Sequence, residues 1–175
     1  MIVLRPKLIM DTTGPFCRKD DVFDGDDPIT ILRIHVRNLG YRATEVTAYV
    51  EKVWRNEVLV ESKRSPLISW MDLAVEKVTL RHLEDEYIDL CLVPGHSPNI
   101  LRVRTKRGSA GFNFSSPGIY RFLVSVQGEG FHSGYQMEVE VSHTGSRKDL
   151  RIISTGRHVS QLRAGGVILK GKNEL

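Results

Sequence analysis

The sequence predicts an all-β protein, a two-sheet antiparallel sandwich of about eight or nine strands. Apolar and polar residues alternate with a period of two along most of the chain, which is typical of strands with one buried face. Clusters of turn-forming residues separate these strands at intervals of about eight to twelve residues. No segment has the periodicity of an amphipathic helix, so the strand pattern decides the fold class.

The stretch Thr30–Val53 is the best-patterned part of the chain. Its apolar positions are Leu32, Ile34 and Val36 in the first half and Val46, Ala48 and Val50 in the second. The polar positions between them, such as Arg33 and His35, are predicted to face away from the core. Asn38-Leu39-Gly40-Tyr41 supplies residues that tolerate positive φ and can reverse the chain. We therefore expect two strands, joined either as a hairpin or as a corner between the two sheets.

The N-terminal part changes character after the first strand. Met1–Met10 contains β-forming residues on both sides of Pro6, which predicts an edge strand. Residues 11–28 contain six aspartates with two glycines and two prolines, and are interpreted as an acidic, solvated loop. Closely spaced carboxylates are also what a calcium ion needs, so a calcium site is the alternative. The spacing DDVFDGDD from Asp20 does not match the twelve-residue calcium loop that ends in Glu.

Short elements are expected in the middle of the chain. Val58–Val60 resumes a strand briefly after a turn. In the apolar strand Leu67–Trp70, Trp70 is expected to fill the gap between the sheets, with its indole N–H bonded to a partner. Residues 72–86 suit either an irregular strand or helical turns, with a strand favoured for Val78–Leu83.

The later strands show the alternation most clearly. They are Tyr87–Val93, Ile100–Arg107, Ile119–Gln127 and Tyr135–His143, with a last strand within Asp149–Ser154. These elements assign residues 1–154 to the sandwich and residues 155–175 to a short basic tail.

One predicted strand carries a row of positive charge. Arg102, Arg104 and Lys106 occupy alternate positions and project from one face, and Arg107 follows directly. Such a row is a candidate surface for an anionic ligand. Lysine and arginine also protect exposed strands from aggregation, which is the alternative interpretation.

Positive charge is also concentrated at the C-terminal end. Residues 145–175 contain seven Lys or Arg and two Asp or Glu, whereas the whole chain has a formal net charge of +4. The candidate binding residues of the tail are Arg157, Arg163, Lys170 and Lys172. These cations could follow a phosphate backbone, but the tail has no aromatic residue to stack on bases. Gly166–Lys170 better suits strand addition to the sheet edge of another protein.

The amino-acid composition indicates a globular protein. The chain is 41% hydrophobic and 26% charged, which is ordinary for a globular domain. Cys17 and Cys91 could bridge two strands, but a domain of this size needs no disulfide, and buried free thiols are the expectation.

No apolar run approaches the length of a membrane span. Met1–Met10 lacks the features of a signal peptide. We expect a cytoplasmic chain or the soluble part of a membrane-attached protein.

Several short motifs resemble the immunoglobulin-like bacterial domains of the CARDB type. The motifs are Asn38-x-Gly40 followed by Ala43, Val46 and Val50, and Pro117-Gly118-Ile119-Tyr120 leading into a late strand. The resemblance covers about residues 29–141 and departs from the pattern in residues 54–83 and in the charged strand 101–106. It implies an immunoglobulin-like sandwich that serves as a spacer, adhesion or accessory binding module without catalytic residues. It also implies a structural role for Tyr120 as a tyrosine corner.

No pattern in the sequence indicates a reaction centre. Gly95-His96-Ser97 and Phe131-His132-Ser133-Gly134 are the nearest hydrolase candidates, and both lack the strand-to-helix elbow of a nucleophile motif. The histidines do not occur in pairs at metal-ligand spacing, and no glycine-rich phosphate loop precedes a helix. We therefore expect no enzyme, no catalytic residue, no cofactor and no metal site.

The predicted function is a non-catalytic interaction or accessory module of a larger bacterial protein or assembly. Its expected partner is another protein or a neighbouring domain. The alternative is a binder of nucleic acid or of an anionic surface. That binder would use the basic strand (Arg102, Arg104, Lys106 and Arg107) and the cations of the tail.

Overall fold

The structure is a computed structural model that describes residues 5–70, 75–105, 111–129, 131–132 and 136–158, without the side chains of residues 131, 132, 157 and 158. Within these ranges the chain forms fourteen β-strands and one short 3-10 helix, and it contains no α-helix. Nine of these strands have four or more residues, and the other five have two or three. The predicted all-β sandwich is confirmed. No helix of the described residues is long and apolar enough to cross a membrane.

The strands follow one another along the whole described chain. They are β1 (Leu8–Asp11), β2 (Arg18–Asp24), β3 (Asp27–Asn38), β4 (Ala43–Arg55), β5 (Val58–Glu61), β6 (Ser65–Pro66), β7 (Val78–Leu80), β8 (Asp85–Pro94), β9 (Leu101–Val103), β10 (Phe112–Phe114), β11 (Gly118–Gly128), β12 (Phe131–His132), β13 (Gln136–His143) and β14 (Arg151–His158). The 3-10 helix, Arg147–Asp149, lies between the last two strands.

The strands form two antiparallel sheets. The six-stranded sheet has the order β1-β3-β8-β9-β10, and β2 also pairs with β3. The eight-stranded sheet has the order β14-β13-β11-β4-β5, with β12 beside β11 and with β6 and β7 beside β4. Strands that pair are often distant in sequence, since β3 pairs with β8 and β4 pairs with β11.

The stretch Thr30–Val53 forms a corner between the two sheets and not a hairpin. β3 belongs to the six-stranded sheet and β4 to the eight-stranded sheet, so the two strands face each other across the core. Val36 at the end of β3 and Ala43 at the start of β4 are both fully buried in the same core cluster. The alternating pattern thus predicted both strands and their inner faces, and the structure selects the corner.

Asn38 holds this corner together through four hydrogen bonds to the backbone. Its Nδ2 donates to the carbonyl oxygens of Tyr41 (2.6 Å) and Leu80 (3.0 Å). Its Oδ1 accepts from the N–H groups of Lys7 (3.2 Å) and Gly40 (3.0 Å). The side chain is fully buried, so these bonds replace the water that the backbone groups would otherwise need. A side chain at Gly40 would collide with the backbone of residues 5–7, which explains the glycine.

The core lies between the two sheets and is lined by the inner positions of their strands. Trp70 is fully buried, and its indole N–H donates to the carbonyl oxygen of Glu76 (3.2 Å), as the sequence predicts. Tyr120 is also fully buried at the start of β11, and its hydroxyl donates to the carbonyl oxygen of Ser116, four residues upstream. This is the geometry of a tyrosine corner. Buried and partly exposed residues alternate along β13, as a period of two predicts.

Arg33 departs from the predicted pattern because it is buried on the outer side of β3. Its guanidinium Nε lies 2.7 Å from a carboxylate oxygen of Asp89 on β8, and both side chains are almost completely buried. The other carboxylate oxygen of Asp89 accepts from the Ser69 hydroxyl at 2.6 Å. The outer face of the six-stranded sheet is therefore covered near its centre, where the sequence predicts a solvated face.

Residues 11–28 are not the acidic loop that composition predicts, because they contain the strand β2. This strand pairs with the first half of β3, and its register shifts around Asp21, which has a positive φ of 54°. Four of the aspartates have side-chain partners, one nearby in sequence and three distant. Asp20 pairs with Arg18, Asp21 with Arg147 and Asp24 with Arg104, and Asp27 contacts the His96 ring.

Three other predicted elements differ in length from the observed strands. The strand predicted for Ile100–Arg107 is confined to β9, three residues long, and residues 106–110 lie outside the described ranges. The strand favoured for Val78–Leu83 is present as β7. The last strand, β14, continues to His158, past the boundary between sandwich and tail that we expect at residue 154.

Candidate functional site

β5 is an exposed edge strand, and it is the most distinctive surface of the described chain. It follows β4 through a two-residue turn in which Asn56 and Glu57 both have positive φ angles, 47° and 67°. Such turns match the twist of a hairpin. Asn56 is fixed in addition by β11, because its Oδ1 accepts from the Ile119 N–H at 2.9 Å and its N–H donates to the Ile119 carbonyl at 2.8 Å.

Three consecutive aliphatic side chains of β5 are open to solvent. Val58, Leu59 and Val60 are 65%, 48% and 40% exposed, and we call these three residues the β5 patch. Within the described chain β5 pairs only with β4, so one side of its backbone has no strand beside it. An edge strand with a free backbone and apolar side chains is a template for pairing with another strand.

Three of the other edge strands carry charged or buried side chains, although β2 and β14 each also expose one large apolar residue, Phe23 (65%) and Ile153 (43%). β2 exposes Arg18, Lys19 and several aspartates, and β14 exposes Arg151, Ser154 and Thr155. β1 buries Leu8 and Met10 against the core. Charged or buried side chains make these edges poor templates for strand addition. β5 lacks this protection along its first three residues.

Acidic side chains flank the β5 patch on both sides. Glu57 precedes the strand and is largely exposed, and Glu61 ends it. Arg121 of β11 lies beside the turn, with its guanidinium 4.3 Å from the centre of the Trp54 ring and 3.1 Å from the Glu57 carboxylate. The patch therefore combines an apolar centre with a partly neutralised acidic rim.

The predicted cationic residues are not assembled into one site by the described structure. Arg102 donates to the Asn113 side chain at 3.2 Å, and Arg104 lies 3.3 Å from the Asp24 carboxylate. Arg157 is placed only by its backbone, in β14. Lys106, Arg107, Arg163, Lys170 and Lys172 lie outside the described residues. Of the eight candidates, two therefore have described side chains, and each has an internal partner.

A compact group of ionisable side chains covers the outer face of β3. The two ring nitrogens of His35 lie 3.1 Å from Asp11 and 3.2 Å from Asp85, and the ring stacks on Tyr87 with centroids 4.8 Å apart. Burial acts to raise the pKa of Asp11, but bonds from Thr13 and His35 outweigh it, so this pKa is lowered. The group connects β1, β3 and β8, so its role is to stabilise the six-stranded sheet.

The thiols are not placed for nucleophilic chemistry. Cys17 and Cys91 are both free and buried, in agreement with the expectation from composition. Burial raises the pKa of each thiol, so the reactive thiolate is disfavoured. No group of three or more histidine, cysteine, aspartate or glutamate side chains in the described residues could hold a metal ion.

Two open clefts lie elsewhere on the described surface. One, of about 530 Å³, lies on the outer face of the eight-stranded sheet, and Lys77 and Glu45 at its rim form an ion pair at 2.7 Å. The other, of about 280 Å³, lies where β2 approaches β14 and is lined by Cys17, Arg18 and Arg151 among others. Neither cleft contains an arrangement of acid, base and nucleophile.

No protein-family model matches the chain, and neither does any curated protein or solved structure. The sequence predicts Val58–Val60 as a brief strand but does not mark it as a binding surface. The available signal was an uninterrupted apolar triplet directly after a turn, a pattern that usually indicates a buried strand.

Proposed function

We propose that the protein is a non-catalytic interaction module that binds an extended segment of a protein partner at β5. The observation that carries this proposal is the exposure of three adjacent aliphatic side chains on a strand whose outer edge has no partner within the described chain. Main-chain hydrogen bonds to the free side of β5 would supply affinity, and the β5 patch would supply apolar contact.

The proposal includes the finer expectations from the sequence. The resemblance to CARDB-type domains suggests an accessory module of a larger bacterial protein or assembly. The Asn38 corner and the Tyr120 hydrogen bond support that likeness, because both motif residues bond to the backbone where strands begin or end. In this interpretation the motifs maintain the scaffold, and β5 makes the contact.

Binding of nucleic acid through the basic strand is the weaker proposal. Arg104 is already paired with Asp24, and Arg102 already donates to Asn113. A phosphate ligand would have to compete with these contacts.

The test is capture from a lysate of the source cells, with and without nuclease treatment, by the full chain and by Leu59→Lys. A protein that binds the wild type, tolerates raised salt and is lost with Leu59→Lys supports strand addition at β5. Phe23→Lys, at a 65% exposed site on the other sheet, is the matched control and should retain binding. Equal capture by all three chains would contradict the proposal. Binding that disappears with nuclease or with salt would favour the nucleic-acid alternative.

A further inference from the structure

We propose that the strand bound at β5 is the C-terminal segment Gly166–Lys170 of a second copy of this chain. The inference rests on the proposed docking at β5 and names its partner. It predicts a closed dimer in which each copy gives its tail segment to the other. The segment lies outside the described residues, and its sequence, its distance along the chain from β14 and the structure of β5 support the pairing.

The segment is complementary to β5 in its apolar centre. Val167, Ile168 and Leu169 form an uninterrupted run of β-forming residues, as Val58, Leu59 and Val60 do in β5. Pairing the two triplets would cover the β5 patch with side chains of similar size and remove its aliphatic surface from water.

The charges beside the two triplets are also complementary. Lys170 and Lys172 follow the apolar run of the tail, and Glu57 and Glu61 flank β5. In an antiparallel arrangement the tail passes from the Glu61 end of β5 towards the Glu57 end, which brings the lysines towards Glu57. Glu57 is largely exposed, so a second cation can approach it beside Arg121.

The length of chain after β14 favours a second copy over the same chain. β14 and β5 are opposite edges of one sheet, so a new strand beyond β5 lies five strand spacings from β14, about 24 Å at about 4.8 Å each. Eight residue steps separate His158 from Gly166, and a fully extended chain covers at most about 26–29 Å in that number. The segment would have to run taut and straight across the outer face of the sheet, over the stacked Arg121 and Trp54 side chains.

A second copy removes this strain. A two-fold axis parallel to the strands of the eight-stranded sheet places β14 of one copy over β5 of the other. Packed sheets are separated by about 10 Å, well within reach of residues 159–165. Exchange of identical segments in this manner gives a closed, symmetric dimer.

The test is the mass of the full chain in solution, measured by sedimentation across a concentration series. We expect the wild type to dimerise. We expect Ile168→Pro, which removes a strand N–H from the tail without touching the sandwich, to weaken dimerisation by about tenfold or more. Asn173→Pro, in the same tail but outside the apolar run, should dimerise like the wild type. A wild type that remains monomeric at about 100 μM would overturn the inference, as would equal effects of the two prolines.

Mixing two defective chains separates this inference from misfolding. Leu59→Lys has a damaged β5 patch and an intact tail segment. Ile168→Pro has an intact β5 patch and a damaged tail segment. Each alone should dimerise more weakly than the wild type, and a one-to-one mixture should form a heterodimer held by the one intact pairing. Absence of that heterodimer would overturn the proposed exchange. If the lysate experiment still gives a partner that depends on Leu59, the interaction function stands and only its assignment to a second copy fails.

Discussion

Asn38 shows how one side chain can decide the path of the backbone. It bonds two carbonyl oxygens and two N–H groups from segments as far apart in sequence as Lys7 and Leu80. A buried amide with all of these partners is stable because the polar groups have exchanged water for one another. The motif Asn-x-Gly therefore has a structural explanation. Asn38 bonds the backbone groups of the corner, and Gly40 leaves room for the backbone of residues 5–7.

Replacing Asn38 by alanine should lower the free energy of unfolding by about 3 kcal/mol or more. The substitution leaves one buried and three partly buried backbone groups without the partner that they have in the wild type, and a fully buried group of this kind costs about 1–3 kcal/mol. Urea denaturation followed by fluorescence gives the change. Asn113→Ala removes one exposed contact with Arg102 and should cost under about 0.5 kcal/mol. A loss below about 1 kcal/mol for Asn38→Ala would mean that water satisfies the corner.

At the scale of the element, β3 and β8 are joined by more than their backbone ladder. Arg33 and Asp89 are opposite each other in the register of the two strands, and Ser69 extends the same polar row. The ladder changes register just before this pair, between Leu32 and Arg33. A buried ion pair fixes which residues face each other, because a slip would leave both charges without their partners.

Asp89→Asn should destabilise the fold by about 3 kcal/mol, because it leaves the buried guanidinium of Arg33 without its opposite charge. The exposed ion pair between Lys77 and Glu45 provides a control, and Glu45→Gln should change stability by less than about 1 kcal/mol. Chemical denaturation of the two variants in parallel measures the difference. Similar small losses in both would show that the outer face of β3 is solvated in solution.

At the scale of the whole molecule, the two sheets are linked at one open side by Arg18. This residue lies on β2 of the six-stranded sheet, and its guanidinium donates to the carbonyl oxygens of Lys148 (2.9 Å) and Leu150, just before β14 of the other sheet. Asp20 on the same strand orients the guanidinium through an ion pair of 2.9 Å, which is also the main reason that the pKa of Asp20 is lowered. The link holds β14 against the body of the sandwich.

Arg18→Met retains the aliphatic part of the side chain and removes its hydrogen bonds. We expect a loss of about 1–2 kcal/mol, since bonds from a charged donor contribute about 1.5–3 kcal/mol and this one is partly exposed. Hydrogen exchange should become faster in residues 151–156 and remain unchanged in β8. Arg102→Met, which removes a single surface contact, should leave both measurements close to those of the wild type. Unchanged exchange in Arg18→Met would argue against the link between the sheets.

The sequence by itself determined most of the longer strands and the residues on their inner faces, although it missed β2 and the burial of Arg33. Alternation with a period of two is a local property, so Val46, Val50 and Tyr120 could be assigned to the core without knowing which strands pair. The same reasoning predicted the buried Trp70 and its bonded indole. It also found Asn38 and Gly40, because their residue types favour a reversal of the chain.

Only the tertiary structure decided which strands are neighbours and which surfaces remain open. Arg33 contacts Asp89, which lies fifty-six residues further along the chain, and Asp21 of β2 contacts Arg147. Neither contact can be predicted from the local sequence pattern, because the partners are distant in sequence. The exposure of β5 was decided in the same way, because an apolar triplet is buried only if another element lies over it. Within the described chain no strand lies beyond β5, and that arrangement creates the candidate docking site.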